Sequence, residues 1–256
     1  ASDVMEMTDK TNNEERRRRM RKSLKYLIFG LLTLGLVFGS TSFAGAVQVT
    51  LVDGDWDNWT FDYAGTAFTV NNSGPSGGLS TIYWGVAATG GGQSGYEFLS
   101  VATPFDAEAD GSVFALGDFT HENRPIYAGG QGISGAGSLE TVDLIINLGI
   151  TGLDPFAVTF NFEHDETLNT TNPEESRDIV TLMNPIVNEY FTDGTNWYYF
   201  NLLGFSQDGG ATISHEFYTY EDQSNLATLY AKITSGPIGT PEPTTMLLLG
   251  LGLIGL

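Results

Sequence analysis

A single all-β sandwich, jelly-roll-like in strand number and length, is the fold that the middle of this chain predicts. Three observations carry it. Apolar residues recur with a period of two rather than 3.6. Breaks rich in Gly, Asn, Ser and Pro separate the runs. No helical pattern of useful length interrupts them. About twelve short strands over roughly 190 residues fit one such domain.

The elements follow in order. Strand-like runs at 46–52 and 59–70 open the domain, and 80–87, 95–101 and 112–119 follow. The strongest alternations lie mid-chain. Val142, Leu144, Ile146 and Leu148 alternate with Thr141, Asp143, Ile145 and Asn147, and Val158, Phe160 and Phe162 alternate with Thr159, Asn161 and Glu163. Later runs cover 177–183, 186–191, 197–206, 212–220 and 225–234. Turn chemistry stands between runs at 71–78, 90–92 and 129–130.

The two ends read differently. Arg21, Lys22 and Lys25 precede the apolar run 26–38, and 39–46 are small residues apart from Phe43. This is the layout of a secretory signal peptide, with Met20 as its start and signal peptidase cleavage after Ala44 or Ala46. Residues 1–46 are therefore expected to be leader, 47–236 the sandwich and 237–256 a tail. In that tail Thr240, Pro241, Glu242 and Pro243 are followed by Thr244, Thr245 and eleven residues that are all Leu, Ile, Met or Gly. The prolines stop secondary structure and present an extended segment. Eleven apolar residues fall short of the about 20 that span a bilayer.

These residues resemble the PEP-CTERM sorting signal, a Pro-Glu-Pro tripeptide followed by a transmembrane helix and an arginine-rich cluster. The resemblance implies an exosortase that recognises the tail and cleaves near the motif. It also implies membrane attachment through the tail before processing, and a cell-surface or extracellular location in a Gram-negative-type bacterium. No basic cluster follows the apolar tail and no Met opens the chain, so a longer natural chain is expected at both ends. Two internal segments extend the likeness. Thr120, His121 and Asn123 resemble the Thr-His-x-Asn signature of one PEP-CTERM subfamily and of choice-of-anchor domains. His164, Glu166, Thr167 and Asn169 resemble the His-x-Glu-Thr-x-Asn stretch of the same domains.

Composition narrows the function. Hydrophobic residues make up 41% and aromatics 12%, enough for a core. Cysteine is absent, which excludes disulfides and thiolate metal sites. An exported domain of this kind is held by its core, by bound ions or by both. Net charge is −20, unevenly spread. Eight of the eleven Lys and Arg residues precede position 26, and after position 46 only Arg124, Arg177 and Lys232 remain. Five of the 31 acids lie in the leader, so 26 face those three bases. Such a domain repels polyphosphate, which excludes nucleic acid and leaves cations, basic partners or neutral glycans.

Several clusters are candidate sites. Asp53, Asp55 and Asp57 stand at i, i+2 and i+4, a spacing that either converges on a hard cation or marks a solvated turn. His121 and Asn123, with Glu122, form a polar cluster before Pro125. They either meet a ligand at the sandwich edge or satisfy backbone groups in a tight turn. His164 is in phase with Phe160 and Phe162, so it points inward and must find a partner. The polar loop after it offers Glu166, Asn169, Glu174 and Asp178 as oxygen ligands for calcium, with His164 bracing a carboxylate. Alternatively, Arg177 pairs with Glu166 and closes the loop without metal.

Catalytic templates fail. Gly74, Ser76 and Gly78 fit G-x-S-x-G as a string but lack the strand-to-helix elbow. No H-E-x-x-H pair exists. A hydrolytic carboxylate pair stays open, because sequence fixes no distances, and Trp56, Trp59, Trp84 and Trp197 are either sugar platforms or core. The expectation is a non-enzymatic surface or matrix protein, structural or adhesive in association with exopolysaccharide and calcium-stabilised. The alternative is a lectin-like or carbohydrate-active enzyme on a jelly-roll scaffold.

Overall fold

A computed structural model describes residues 45–237 except 75, 76, 169, 185–188 and 195. The leader with Met20 and Ala44, the sorting tripeptide Pro241, Glu242 and Pro243, and the loop residues Ser76 and Asn169 lie outside the described residues.

All described secondary structure is strand or turn, in thirteen strands. They are β1 Val47–Phe61, β2 Phe68–Asn71, β3 Leu79–Trp84, β4 Ser94–Ser100, β5 Phe105–Ala107, β6 Asp110–Asn123, β7 Leu139–Ile150, β8 Phe156–Asp165, β9 Asp178–Leu182, β10 Glu189–Thr192, β11 Asn196–Ser206, β12 Glu216–Thr219 and β13 Gln223–Pro237. Two sheets form a sandwich, ordered β12-β9-β8-β7-β1-β5 and β10-β11-β13-β6-β4-β3-β2. Every pairing is antiparallel. The all-β sandwich read from the period of two is thus the observed fold.

The core is the sum of the inward phases. On β7, Val142, Leu144, Ile146 and Leu148 are buried, and on β8 so are Val158, Phe160 and Phe162. Opposite them β4 and β6 contribute Tyr96, Phe98, Leu116 and Phe119. The edge-to-face contact of Trp56 with Phe119, at 5.9 Å between centroids, joins the sheets near the middle.

One long strand differs from expectation. Asp53, Asp55 and Asp57 lie within β1, not in a turn, because the sequence around them keeps strand alternation. Val52, Gly54 and Trp56 face inward, in register with Leu148, Ile146 and Leu144 of β7. The carboxylates take the other face. There the 72–74 loop covers Asp53, whose Oδ1 accepts a hydrogen bond from Ser73 Oγ at 2.6 Å. A residue without Cβ is needed at position 54, since a side chain there would run into the Phe98 ring.

A second difference concerns β6. It runs on through His121 to Asn123, so these two residues sit neither in a tight turn nor at the sandwich edge. β6 lies between β13 and β4 inside its sheet, and both side chains follow Phe119 in the inward phase, fully buried. The strand ends at Asn123, four residues beyond the 112–119 run read from the sequence, and Pro125 follows it.

Candidate functional site

Toward one end of the sandwich the apolar core gives way to a sealed polar cluster built by both sheets. Ser94 and Tyr96 come from β4, His121 and Asn123 from β6, His164 from β8, Asp178 from the start of β9 and Thr219 from the end of β12. All seven are buried, six of them with 0% accessible surface and His164 with 6%. The registers explain the meeting. Tyr96 is the cross-strand partner of His121, and Asp178 is the partner of Thr219. His164 faces them from across the core, its ring 5.1 Å from that of His121 and nearly perpendicular.

Hydrogen bonds orient each member. Tyr96 Oη lies 2.5 Å from His164 Nδ1, and His164 Nε2 lies 3.3 Å from Glu166 Oε2. His121 Nδ1 lies 2.8 Å from Thr219 Oγ1, which donates to the Asp178 carbonyl at 3.4 Å. Ser94 Oγ donates to the Glu122 carbonyl at 3.0 Å, so the weak 3.4 Å approach to His121 Nε2 gives that nitrogen no donor. Asp178 Oδ1 accepts from the Thr167 amide at 2.9 Å, whereas Asp178 Oδ2 is buried with no hydrogen-bond partner, as is Asn123 Oδ1.

The electrostatics follow from burial. Burial and the neighbouring His164 push the His121 pKa well below its ordinary value, so this imidazole is neutral. Burial, then the Glu166 charge, pushes Asp178 up to about 8. Burial, then Asp178 and Glu166, raises the Tyr96 hydroxyl well above the usual phenol range. Among the described residues no cation relieves this acidity. Arg124 pairs with Glu122 at 2.6 Å and Asp222 at 3.6 Å, and Arg177 pairs with Glu174 at 3.2 Å.

The structure divides the expected calcium ligands. Glu166 and Asp178 come together, joined by Glu221, with one carboxylate oxygen of each within 4.8 Å of the others. Glu174 turns away to Arg177 and accepts the Tyr220 hydroxyl at 2.8 Å. Arg177 therefore does not close the loop onto Glu166. Its guanidinium lies 5.0 Å from the Tyr218 ring and 5.6 Å from the Tyr220 ring, an outward cation–π stack. The three carboxylates of β1 gather no metal-like group. Burial and the Asp53 charge raise the Asp55 pKa, while Asp57 is exposed.

Among the tryptophans, Trp56 and Trp84 are fully buried core residues, not sugar platforms, and Trp59 packs on Phe68 at 5.2 Å. Sequence reasoning missed Ser94, Tyr96, Thr219 and Glu221. For Ser94 and Tyr96 a signal existed, since they share the inward phase of Phe98 on β4. Nothing local marks Thr219 or Glu221, which join the cluster only through the β9–β12 pairing.

No curated protein matches the chain. Residues 240–256 match the family model described as the PEP-CTERM protein-sorting motif, a match that does not reach the internal Thr120–Asn123 or His164–Asn169 segments. The chain carries a PEP-CTERM sorting motif at this end, the mark of an exported, cell-surface-directed protein processed by an exosortase.

Proposed function

We propose that the sandwich is a non-enzymatic surface or matrix module, structural or adhesive in association with exopolysaccharide, delivered by signal peptidase and exosortase processing. The sorting motif is the observation that carries the reading. Two features of the fold support it. Asp178 and His121, whose acid–base behaviour is strongly perturbed, have 0% accessible surface, so a glycosidic bond cannot approach them. The aromatics that reach solvent include Tyr190, Tyr199 and Tyr218, which stand on strands of the two sheets. Amphipathic rings of this kind suit contact with hydrated glycans.

A pocket of about 390 Å³ beside Glu221, lined also by Tyr220, Pro173 and Gln223, favours a lectin-like form of the same reading. The test is made in an exosortase-bearing host with and without exopolysaccharide synthesis. The processed protein should be retained with the polymer and washed free when the polymer is missing, and Glu242→Ala should block tail removal. Equal retention in both hosts would overturn the exopolysaccharide association, and unchanged processing of the variant would overturn the role of the motif.

A further inference from the structure

We propose that His121, His164 and Asp178 form a binding site for a divalent transition-metal ion of the zinc class, with Glu166 or Glu221 able to complete its coordination. One ring nitrogen of each histidine and one Asp178 oxygen lie within 4.8 Å of one another. Ligands at about 2.1 Å around a tetrahedral ion stand about 3.4 Å apart. Side-chain adjustments on the order of 1 Å close that gap.

Proximity alone would not make a site, but the hydrogen-bond inventory points the same way. Asp178 Oδ2 has no partner although the residue has 0% accessible surface. A buried acceptor left so costs roughly 1–3 kcal/mol, and natural structures rarely keep one without use. His121 meets Thr219 at Nδ1 and receives no donor at Nε2, because Ser94 donates to the Glu122 carbonyl. The cluster therefore offers unused lone pairs from nitrogen and oxygen inside one sealed volume.

The flanking groups match the shell that orients metal ligands. Thr219 fixes the His121 ring and the Tyr96 hydroxyl fixes that of His164, at 2.8 Å and 2.5 Å. Binding at His164 Nε2 places that ring's proton on Nδ1, where it donates to the Tyr96 oxygen, and takes Asp178 as the carboxylate, so protonation of the ligands opposes metal uptake.

The donor set also chooses the metal. Calcium takes six to eight oxygens at 2.3–2.6 Å, whereas two imidazoles with a carboxylate suit zinc, cobalt, nickel or copper. Glu166 and Glu221 are partly exposed, so the cluster meets solvent on the side of these two carboxylates, and Glu221 also lines a neighbouring pocket.

The test uses the purified full chain, stripped with EDTA and dialysed. Zinc and cobalt should each bind at one equivalent by elemental analysis. Both should raise the melting temperature, and cobalt should give the visible absorption of a low-symmetry nitrogen–oxygen site. Calcium should leave the melt unchanged at matched ionic strength. Asp178→Asn keeps the acceptor for the Thr167 amide, so it should fold yet lower zinc affinity by about 100-fold or more. His164→Gln serves as a second variant with the same expected loss. The proposal is overturned if zinc binds below one equivalent, if calcium and zinc raise the melt equally, or if folded Asp178→Asn binds zinc as the parent does.

Discussion

At the scale of single residues, the polar cluster is unusual because every member occupies a position where an apolar side chain would normally sit. Tyr96 shows how tightly it is tied in. Its ring packs against Trp84 and Phe119 at 4.9 Å each, and its hydroxyl meets His164. Tyr96→Phe keeps the ring and deletes the hydroxyl alone. His164 Nδ1 is then left buried and unpaired, which costs about 1–3 kcal/mol. For a domain of this size that is a fall in Tm of roughly 2–12 °C. Differential scanning calorimetry of the metal-free protein checks it, and an unchanged melting point would mean that the hydroxyl contributes nothing to the native state.

At the scale of elements, the sequence was most legible where one rule governs a whole strand. β7 and β8 alternate without interruption, and their inward residues are the core. The same phase carried His164 inward. Applied to β6, it would have placed His121 and Asn123 beside it, two steps and four steps beyond Phe119. Pro125 obscured this, since a proline forbids further pairing but does not shorten the strand before it. The three acids of β1 misled for a related reason. Carboxylates at i, i+2 and i+4 lie on one face of a strand as naturally as in a loop, and only the pairing of β1 with β7 decides. Thr219 and Glu221 were illegible because their place depends on the β9–β12 pairing, a contact between segments some 40 residues apart that no local pattern encodes.

Element packing yields its own prediction at Gly54. Phe98 reaches from β4 across the core to β1, and its ring occupies the space a Cβ at position 54 would need. Gly54 has ordinary strand geometry, so Gly54→Ala tests packing without backbone strain. Overpacking a well-filled core costs typically about 1–3 kcal/mol. The variant should melt several degrees lower. In the Gly54→Ala background, Phe98→Leu should cost less than it does alone, because the smaller side chain relieves the clash. Strict additivity of the two substitutions in urea unfolding would show that the ring and the glycine are not coupled.

At the scale of the whole molecule, two design features bear on life outside the cell. Among the described residues the four edge strands β12, β5, β10 and β2 have only four, three, four and four residues. Short edges offer little template for pairing with other chains, so association through sheet faces is favoured over edge-to-edge growth. The second feature is charge. After position 46 there are 26 acids and three bases, and a compact state so charged repels itself. Salt shortens the range of that repulsion, from a Debye length of about 30 Å at 0.01 M to about 8 Å at 0.15 M. Stability should therefore rise with ionic strength, most steeply below about 0.15 M, because the folded state confines the charges more closely than the unfolded chain. A gain of about 1 kcal/mol would raise Tm by about 2–4 °C. The measurement is a set of thermal melts in EDTA with sodium, potassium and tetramethylammonium chlorides. Screening acts on the field and is indifferent to the cation, so all three should give the same rise. A flat response would show that the acids are too dispersed to strain the fold, and a rise confined to one cation would mean specific binding in place of screening.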